Sequence, residues 1–316
     1  MLLGITAFVG FVALAVRFAR GQEDALRSID VSNWPLLSGV AAALFGVMLI
    51  NGVVLRDLVA HFGVRLSVRS WLGLTLVGSL LNIVSPVRGG AALRFIYLKR
   101  VHGVALTEVA TVLMGSTLCS LAVSAALGAC TIAALGVPGG VYGWIALATS
   151  VLMATVLIVG LWFPPPQVKM SGIVLARFTR VVEAWRSLGN QPALLSRVFA
   201  WNILAACLHA VAFYLAFCLT SFQESWLVPA TSSAFARMGT LLAITPAGLG
   251  IFEAFGVVSA AIVGADAGAA LIGVLVVRIV GAIVGIAGGL VMLPMLMRSE
   301  VNVAKGESPA IRDAGS

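Results

Sequence analysis

The sequence predicts an all-α, polytopic integral membrane protein with about six full transmembrane helices and two Pro/Gly-broken re-entrant hairpins in an inverted repeat. Three observations predict this fold class. The 316 residues are 60% hydrophobic and only 10% charged, whereas soluble domains contain roughly 25% charged residues. Several apolar runs reach the ~20 residues that a helix needs to cross a bilayer. Two further apolar segments are broken in the middle by proline and glycine.

The predicted elements form one transmembrane domain, 1–297, followed by a disordered polar tail, 298–316. Full spans are predicted at 2–17, 35–55, 106–135, 141–163, 198–219 and 268–297. The broken segments lie near 71–100 and 226–264. The two halves of the repeat cover roughly 35–163 and 198–297.

Residues 169–188, between the two halves, have a different pattern. Apolar side chains recur at i, i+3 and i+4 spacing, and the basic side chains lie mostly on the opposite face. This pattern predicts an interfacial amphipathic helix that lies on the inner leaflet and is attracted by anionic headgroups. The alternative is an ordinary basic connection between two spans.

Lys and Arg concentrate in one set of connections, which predicts the orientation. The connections 56–70 and 88–100, the segment between the halves and the tail are basic, whereas "GVPGG" and "TSFQESW" contain no Lys or Arg. Both termini are therefore predicted to be cytoplasmic, in the plasma (inner) membrane. The net charge of +8 is spread over these connections without a nucleic-acid motif, so anionic lipid is the expected partner and nucleic acid is not.

Two stretches resemble each other: "GSLLNIVSPVRGGAALRF" at 78–95 and "GTLLAITPAGLGIFEAF" at 239–255. Both open Gly-Ser/Thr-Leu-Leu and reach a proline, Pro86 or Pro246, with a glycine four residues later, Gly90 or Gly250. With the predicted orientation they enter the membrane from opposite sides, an arrangement typical of transporters. Chance similarity is the alternative, because Gly, Pro and Leu are common in this chain.

The chemistry of the two breaks explains why they would face protein or a polar cavity. A proline removes a backbone donor, and glycines allow a bend and a close approach. Backbone groups freed in this way cannot face lipid. The helix that begins near Gly89 and Gly90 presents a positive end that can hold an anion. The predicted break residues are Pro86, Gly89, Gly90, Pro246, Gly248 and Gly250.

Five ionisable side chains lie at or near these breaks, and we predict that they form the substrate-binding set: Arg88, Arg94, Arg237, Glu253 and Arg278. A charge at the centre of a lipid-facing helix costs roughly 2.5–3.5 kcal/mol. The last three are therefore expected to face inward, with Glu253 paired to Arg237 or Arg278. The alternatives are a packing kink with cytoplasmic anchor arginines in the first break and a purely structural ion pair in the second.

Catalytic and metal-binding constellations are not evident in the sequence. The histidines are scattered, the cysteines form no CxxC pair, and there is no P-loop. Asp57, Glu108 and Glu183 are isolated, and Glu108 is assigned to a helix cap. We therefore expect no catalytic residue, no metal and no cofactor, and the chain is not expected to be an enzyme. The residues concerned are His61, His102, His209, Cys119, Cys130, Cys207 and Cys218.

The stretches "SPVRGGAALR", "TPAGLGIFE" and "VVRIVG" resemble signature regions of the lysylphosphatidylglycerol synthase transmembrane-region family, a flippase-like membrane domain that also occurs as stand-alone proteins. The matching positions are Pro86, Arg88, Gly90, Arg94, Gly248, Gly250, Glu253 and Arg278. The sequence departs from the family at Ala91, where glutamate is usual, and at Gly115, Ser116 and Cys119, where a Glu-Arg pair and an Asp are common.

This resemblance implies lipid translocation or assistance to lipid-linked sugar metabolism. Lysyl transfer is not expected, because members that perform it carry a large soluble catalytic domain. The leading hypothesis is a transporter that moves an anionic lipid or lipid-linked phosphate between leaflets. Its headgroup would lie in a polar cleft between the hairpins, held by Arg94 and by Arg237 or Arg278. The alternatives are an accessory or scaffold subunit for a partner enzyme and, less favoured, a membrane enzyme acting on such lipids.

Overall fold

The computed structural model describes residues 33–85, 89–163, 186–220, 225–240, 248 and 250–304, with side chains up to 297. Nine principal α-helices make up this described part. They are α1 (Trp34–His61), α2 (Val68–Val84), α3 (Gly89–His102), α4 (Leu106–Ala134), α5 (Val141–Trp162), α6 (Pro192–Phe217), α7 (Leu227–Gly239), α8 (Ile251–Ile262) and α9 (Ala267–Ala304).

Five of these helices, α1, α4, α5, α6 and α9, are long and apolar enough to cross a membrane. They correspond to five of the predicted full spans, and the sixth, 2–17, lies outside the described residues. The all-helical, polytopic fold class is therefore confirmed. One boundary differs, because α1 continues to His61 and includes Arg56 and Asp57, which were predicted to belong to a connection.

Local sequence signals explain several of the helix ends. The Oδ1 of Asn33 accepts a hydrogen bond from the N–H of Leu36 at 3.5 Å, which caps the start of α1. Glu108 caps α4 as predicted, because its Oε2 accepts from the N–H of Ala105 at 3.2 Å. Between α4 and α5, Gly136 and Gly139 adopt φ values of 76° and 83°, which glycine tolerates without strain.

The first broken segment folds as an antiparallel helix pair, α2 and α3, which we call the first hairpin. Near its open end, the hydroxyl of Tyr97 donates to Ser70 Oγ at 3.3 Å. Near its tip, the N–H of Gly90 donates to Asn82 Oδ1 at 2.9 Å, and Gly90 packs against the backbone of Gly78. The interruption thus coincides with the predicted one, while Pro86 and Arg88 lie outside the described residues.

The second broken segment also folds as an antiparallel pair, α7 and α8, which we call the second hairpin. Ser232 Oγ donates to the carbonyl of Gly256 at 2.8 Å, and Gly239 at the end of α7 packs against Ile251 and Phe255 at the start of α8. Pro246 lies outside the described residues. Re-entry of both hairpins into the membrane stays a prediction.

Each hairpin packs against a long helix of the other half of the chain. The first arm of the first hairpin, α2, lies along α9, and the first arm of the second hairpin, α7, lies along α4. The long helices α1 and α6 pack against each other. Two related halves would pack in this reciprocal way, and the inverted repeat itself stays a prediction.

Small residues allow the close approach of the hairpins to their neighbours. On α9, Gly288 and Gly289 lie against Leu76 and Leu80 of α2. On α4, Gly128 lies against Phe235 of α7. Glycine at a helix contact lets the two backbones approach closely. Within a bilayer the hydrophobic effect does not drive helices together, so this close van der Waals packing is a main source of their association energy.

One predicted boundary and the predicted environment of Leu188 need correction. The helix α9 runs to Ala304, so residues 298–304 are helical rather than disordered, because the sequence contains no helix breaker between Pro294 and Gly306. The predicted interfacial helix lies outside the described residues except for its end. There, 186–189 is helical, and Leu188 is buried in the core instead of facing lipid.

The tip of the first hairpin gives a stability prediction. In Gly90→Ala, the added methyl would collide with the carbonyl of Gly78, with Asn82 Oδ1 only 2.8 Å away. We expect the free energy of unfolding in detergent to fall by about 1–3 kcal/mol, as for other overpacked sites. The control is Gly160→Ala on α5, where no described residue outside the local helix backbone has an atom within 4 Å of the new methyl. Equal thermal stability of the two variants would contradict the packing described here.

The inverted repeat gives a topology prediction. Cysteines introduced as Arg88→Cys and Ala247→Cys, in a background without the native cysteines, should react with a membrane-impermeant thiol reagent from opposite sides of oriented vesicles. The reason is that the two breaks open to opposite sides when the halves are inverted. Labelling of both positions from one side would show that the halves are not inverted.

Candidate functional site

Arg94 lies on α3, in the interface between the two arms of the first hairpin. Its guanidinium group packs against Gly78 of α2, where the absence of a side chain leaves room for it. The Nε atom is buried and has no hydrogen-bond partner among the described residues. A buried donor without a partner is unfavourable, so this nitrogen is suited to an acceptor from outside the described residues.

The start of α3 is partly satisfied by a neutral side chain. Asn82 Oδ1 accepts the hydrogen bond from the N–H of Gly90 at 2.9 Å. The predicted anion site at this helix end therefore has one of its backbone donors already in use. What the tip of the first hairpin retains is the charge of Arg94, which forms no ion pair with any described residue.

Glu253 caps the start of α8, as Asn82 caps the start of α3. Its carboxylate makes two interactions. Oε2 accepts from the N–H of Gly250 at 2.7 Å, and Oε1 lies 3.5 Å from Arg278 Nε. The turn before α8 uses Gly248 and Gly250 with φ values of 68° and 88°, which favour glycine. Glu253 thus connects the tip of the second hairpin to α9.

Arg278 is the partner of Glu253, so the open choice between Arg237 and Arg278 is decided for this ion pair. The Arg278 guanidinium also lies 5.3 Å from the ring centroid of Phe252, a cation–π distance. The Glu253 side chain is 7% exposed and that of Arg278 is 21% exposed. The pair is therefore largely removed from solvent.

Arg237, at the end of α7, bonds to a neutral partner. Its Nη2 donates to Ser120 Oγ of α4 at 2.7 Å. Its Nη1 is buried and has no hydrogen-bond partner among the described residues. Arg237 thus resembles Arg94, because each places a guanidinium nitrogen inside the protein with no acceptor from the described residues.

His209 and Ser233 form a second buried polar contact, and neither was predicted to be a site residue. His209, on α6, is 8% exposed, and Ser233, on α7, is fully buried. The Nδ1 of His209 lies 2.8 Å from Ser233 Oγ, and its ring centroid is 6.3 Å from that of Phe252. One signal was available, because His209 is the single Lys, Arg, His, Asp or Glu within 198–219, and such residues inside a span are functional candidates by default.

These contacts join five helices into one group, which we call the polar cluster: Ser120, His209, Ser233, Arg237, Phe252, Glu253 and Arg278. Ser233 and Arg237 are one helical turn apart on α7, so His209 lies next to Arg237 as well. The cluster contains two arginines and one carboxylate. Its charges leave an excess of positive charge inside the protein.

The tip of the first hairpin also approaches the polar cluster. On α9, Gly285 contacts Ile83 near the end of α2. Since Arg278 is seven residues before Gly285 on the same helix, it lies about 10 Å further along the helix axis, beyond the end of α2. Arg278 therefore lies on the side of α9 towards which α2 ends, about 10 Å along the axis from the contact with Ile83.

Two depressions in the described part lie away from these arginines. One, of about 10 Å³, is apolar and includes Gly115 and Cys119 in its lining. At these positions the resemblance would place ionisable residues. The other is an open apolar depression on α5 that includes Val151 and Leu152. Neither is lined by Arg94 or by the polar cluster, so the predicted cleft between the hairpins stays a prediction.

The ion pair gives a prediction with a compensating variant. Arg278→Gln leaves the Glu253 carboxylate buried without its charged partner, and removal of one member of a buried pair typically costs about 3–5 kcal/mol. Glu253→Gln in the same chain removes the stranded charge while keeping an amide oxygen for the Gly250 N–H. The double variant should therefore melt at a higher temperature than Arg278→Gln alone, and a further loss of stability in the double variant would contradict the pairing.

No curated protein matches the chain. The family model described as "Lysylphosphatidylglycerol synthase TM region" matches residues 1–289, which includes both hairpins and the whole polar cluster. The chain therefore belongs to the lysylphosphatidylglycerol synthase TM region family.

Proposed function

We propose that this membrane protein moves an anionic lipid or a lipid-linked phosphate between the two leaflets. The observation that carries the proposal is the excess of buried positive charge at the two hairpin tips. Arg94 and Arg237 each present a buried guanidinium nitrogen with no partner among the described residues. An anionic headgroup is the ligand that would satisfy both the charge and the missing acceptors.

The position of these arginines supports transport rather than a purely structural role. Irregular backbone is tolerated at membrane depth where it lines a cavity or protein, and inverted repeats with broken helices are typical of transporters whose binding site lies near the midplane. Arg94 and Arg237 lie next to such breaks from opposite halves of the chain. A headgroup held between the hairpins would leave its acyl chains in the bilayer.

The basic side chains at one end of the bundle support the proposed orientation. The hydrogen bond between Tyr97 and Ser70 brings the end of α3 next to the start of α2. Exposed Arg69, Lys99 and Arg100 therefore lie at the same end of the first hairpin. We place this end at the cytoplasmic face of the plasma (inner) membrane, by the positive-inside rule.

The proposed activity involves no bond making or breaking. Transfer of a headgroup between leaflets needs a polar path and no covalent step. The close serine–histidine pair of the polar cluster, Ser233 and His209, is buried, and no carboxylate among the described residues bonds to that histidine. We therefore propose a transporter rather than an enzyme. An accessory role beside a partner enzyme is the alternative that the following experiment separates.

The test is leaflet exchange of fluorescent phosphatidylglycerol in liposomes that contain the purified protein. Arg94→Ala should lower the initial exchange rate about tenfold or more, since a hydrogen bond to a charged group contributes about 1.5–3 kcal/mol. The control is Arg100→Ala, which removes an arginine from the exposed end of the same helix and should change the rate less than about twofold.

Glu253→Ala tests the second hairpin in the same assay. It removes both the cap on the Gly250 N–H and the partner of Arg278, so exchange should fall with it too. Absence of exchange with every anionic lipid tested, together with copurification of a partner enzyme, would support the accessory role instead. Chemical turnover of a lipid-linked sugar by the purified chain would support an enzyme.

A further inference from the structure

We propose that His209 is a proton-binding residue of the anion site and that the protein moves its anionic lipid together with a proton. The inference rests on the proposed function and adds its driving force. His209 belongs to the polar cluster and lies in a helix that is long and apolar enough to span a membrane. It contacts Ser233, which is one helical turn from Arg237 on α7. The geometry, the charges and the hydrogen bonds of its neighbours support this assignment in turn.

The hydrogen bonds of His209 leave one ring nitrogen available. Nδ1 lies 2.8 Å from Ser233 Oγ, which holds the ring on α7. Nε2 has no hydrogen bond with any described residue. Because Ser233 and Arg237 are four residues apart, they lie on the same face of α7. His209 is therefore near a guanidinium group whose Nη1 also has no partner among the described residues.

The charged groups around His209 are few, which makes its environment simple. From α7 it faces Arg237. From α8 it contacts Phe252, whose neighbour Glu253 directs its carboxylate to the Gly250 N–H and to Arg278 of α9. The other helices that pack on α6 are α1, α4 and α9. On α9 the charged residue inside the span is Arg278, and the Lys, Arg, His, Asp and Glu residues of α1 and α4 lie near helix ends, at Arg56, Asp57, His61 and Glu108.

The charge of the site then explains why a proton and an anion would move together. With the site empty, a second positive charge next to Arg237 is unfavourable in a low-dielectric interior, and we infer that His209 is neutral. A phosphate at Arg237 supplies a negative charge, and the protonated imidazole can then donate from Nε2 to a phosphate oxygen. One proton with one monoanion leaves the net charge of the site unchanged, and by linkage each ligand favours the other.

Glu253 is less suited to this role than His209. Both of its carboxylate oxygens already have partners, the Gly250 N–H and Arg278. Its protonation would weaken the connection between the second hairpin and α9. Histidine is also the side chain whose ordinary pKa lies in the physiological range, so it gains and loses a proton readily.

The experiment uses the full chain in liposomes with fluorescent phosphatidylglycerol and an imposed gradient of one pH unit. With one proton per lipid, the wild-type protein should enrich the lipid about tenfold in the leaflet facing the alkaline side, because one pH unit corresponds to a tenfold ratio. A membrane potential of either sign, set with valinomycin, should leave this ratio unchanged, since proton and monoanionic lipid together carry no net charge.

The test variant is His209→Asn, whose amide replaces Nδ1 towards Ser233 but cannot take up a proton. It should abolish the enrichment at the end point, whatever the rate at which exchange reaches it. The matched control is His61→Gln at the end of α1, because His61 also bonds to a serine, with Nε2 3.1 Å from Ser187 Oγ, but lies outside the polar cluster. This control should enrich lipid as the wild type does.

A measurement on the wild-type chain keeps the proposal open to refutation if His209→Asn does not fold. A pH-sensitive dye inside the vesicles should report acidification when phosphatidylglycerol is added to the outer leaflet alone. Lipid exchange without this pH change, or enrichment that persists in His209→Asn, would overturn proton coupling and leave the proposed function standing. Absence of exchange in the wild type would overturn both.

Discussion

The cost of charge in a low-dielectric interior is the constraint on which the rest of this structure depends. Arg94, Arg237, Glu253 and Arg278 all occur within apolar segments, where lipid exposure would cost several kcal/mol each. The fold places them at the tips and contacts of two helical hairpins. There the interrupted backbone already requires polar partners, so the same feature accommodates both the broken helices and the charges.

The two hairpins share a shape but differ in charge, and this difference gives the site its sign. The second helix of the first hairpin is capped by neutral Asn82, and Arg94 beside it has no counter-ion among the described residues. The second helix of the second hairpin is capped by Glu253, which also compensates Arg278. With Ala91 in place of the family's usual glutamate, the first hairpin presents positive charge alone.

The sequence predicted the spans and the interruptions well, because hydropathy and helix-breaking residues are local properties. It restricted the partner of Glu253 to two arginines, and packing of α8 against α9 selected Arg278. His209 and Ser233 escaped prediction, because their importance arises from a contact between two helices that periodicity cannot reveal. An amphipathic pattern such as the one that includes Leu188 is expected both for a helix on a membrane surface and for a helix that packs on a protein core. The structure places Leu188 in the core.

The most direct test of the central claim, that an anionic headgroup lies between the hairpin tips, is the position of covalent attachment of a phosphatidylglycerol analogue with a photoreactive headgroup. Peptide mapping after illumination in liposomes should find the label within residues 82–94 and 237–253, and excess unlabelled phosphatidylglycerol should compete for it. Attachment confined to the outer face of α5, around exposed Val151 and Leu152, would contradict the claim.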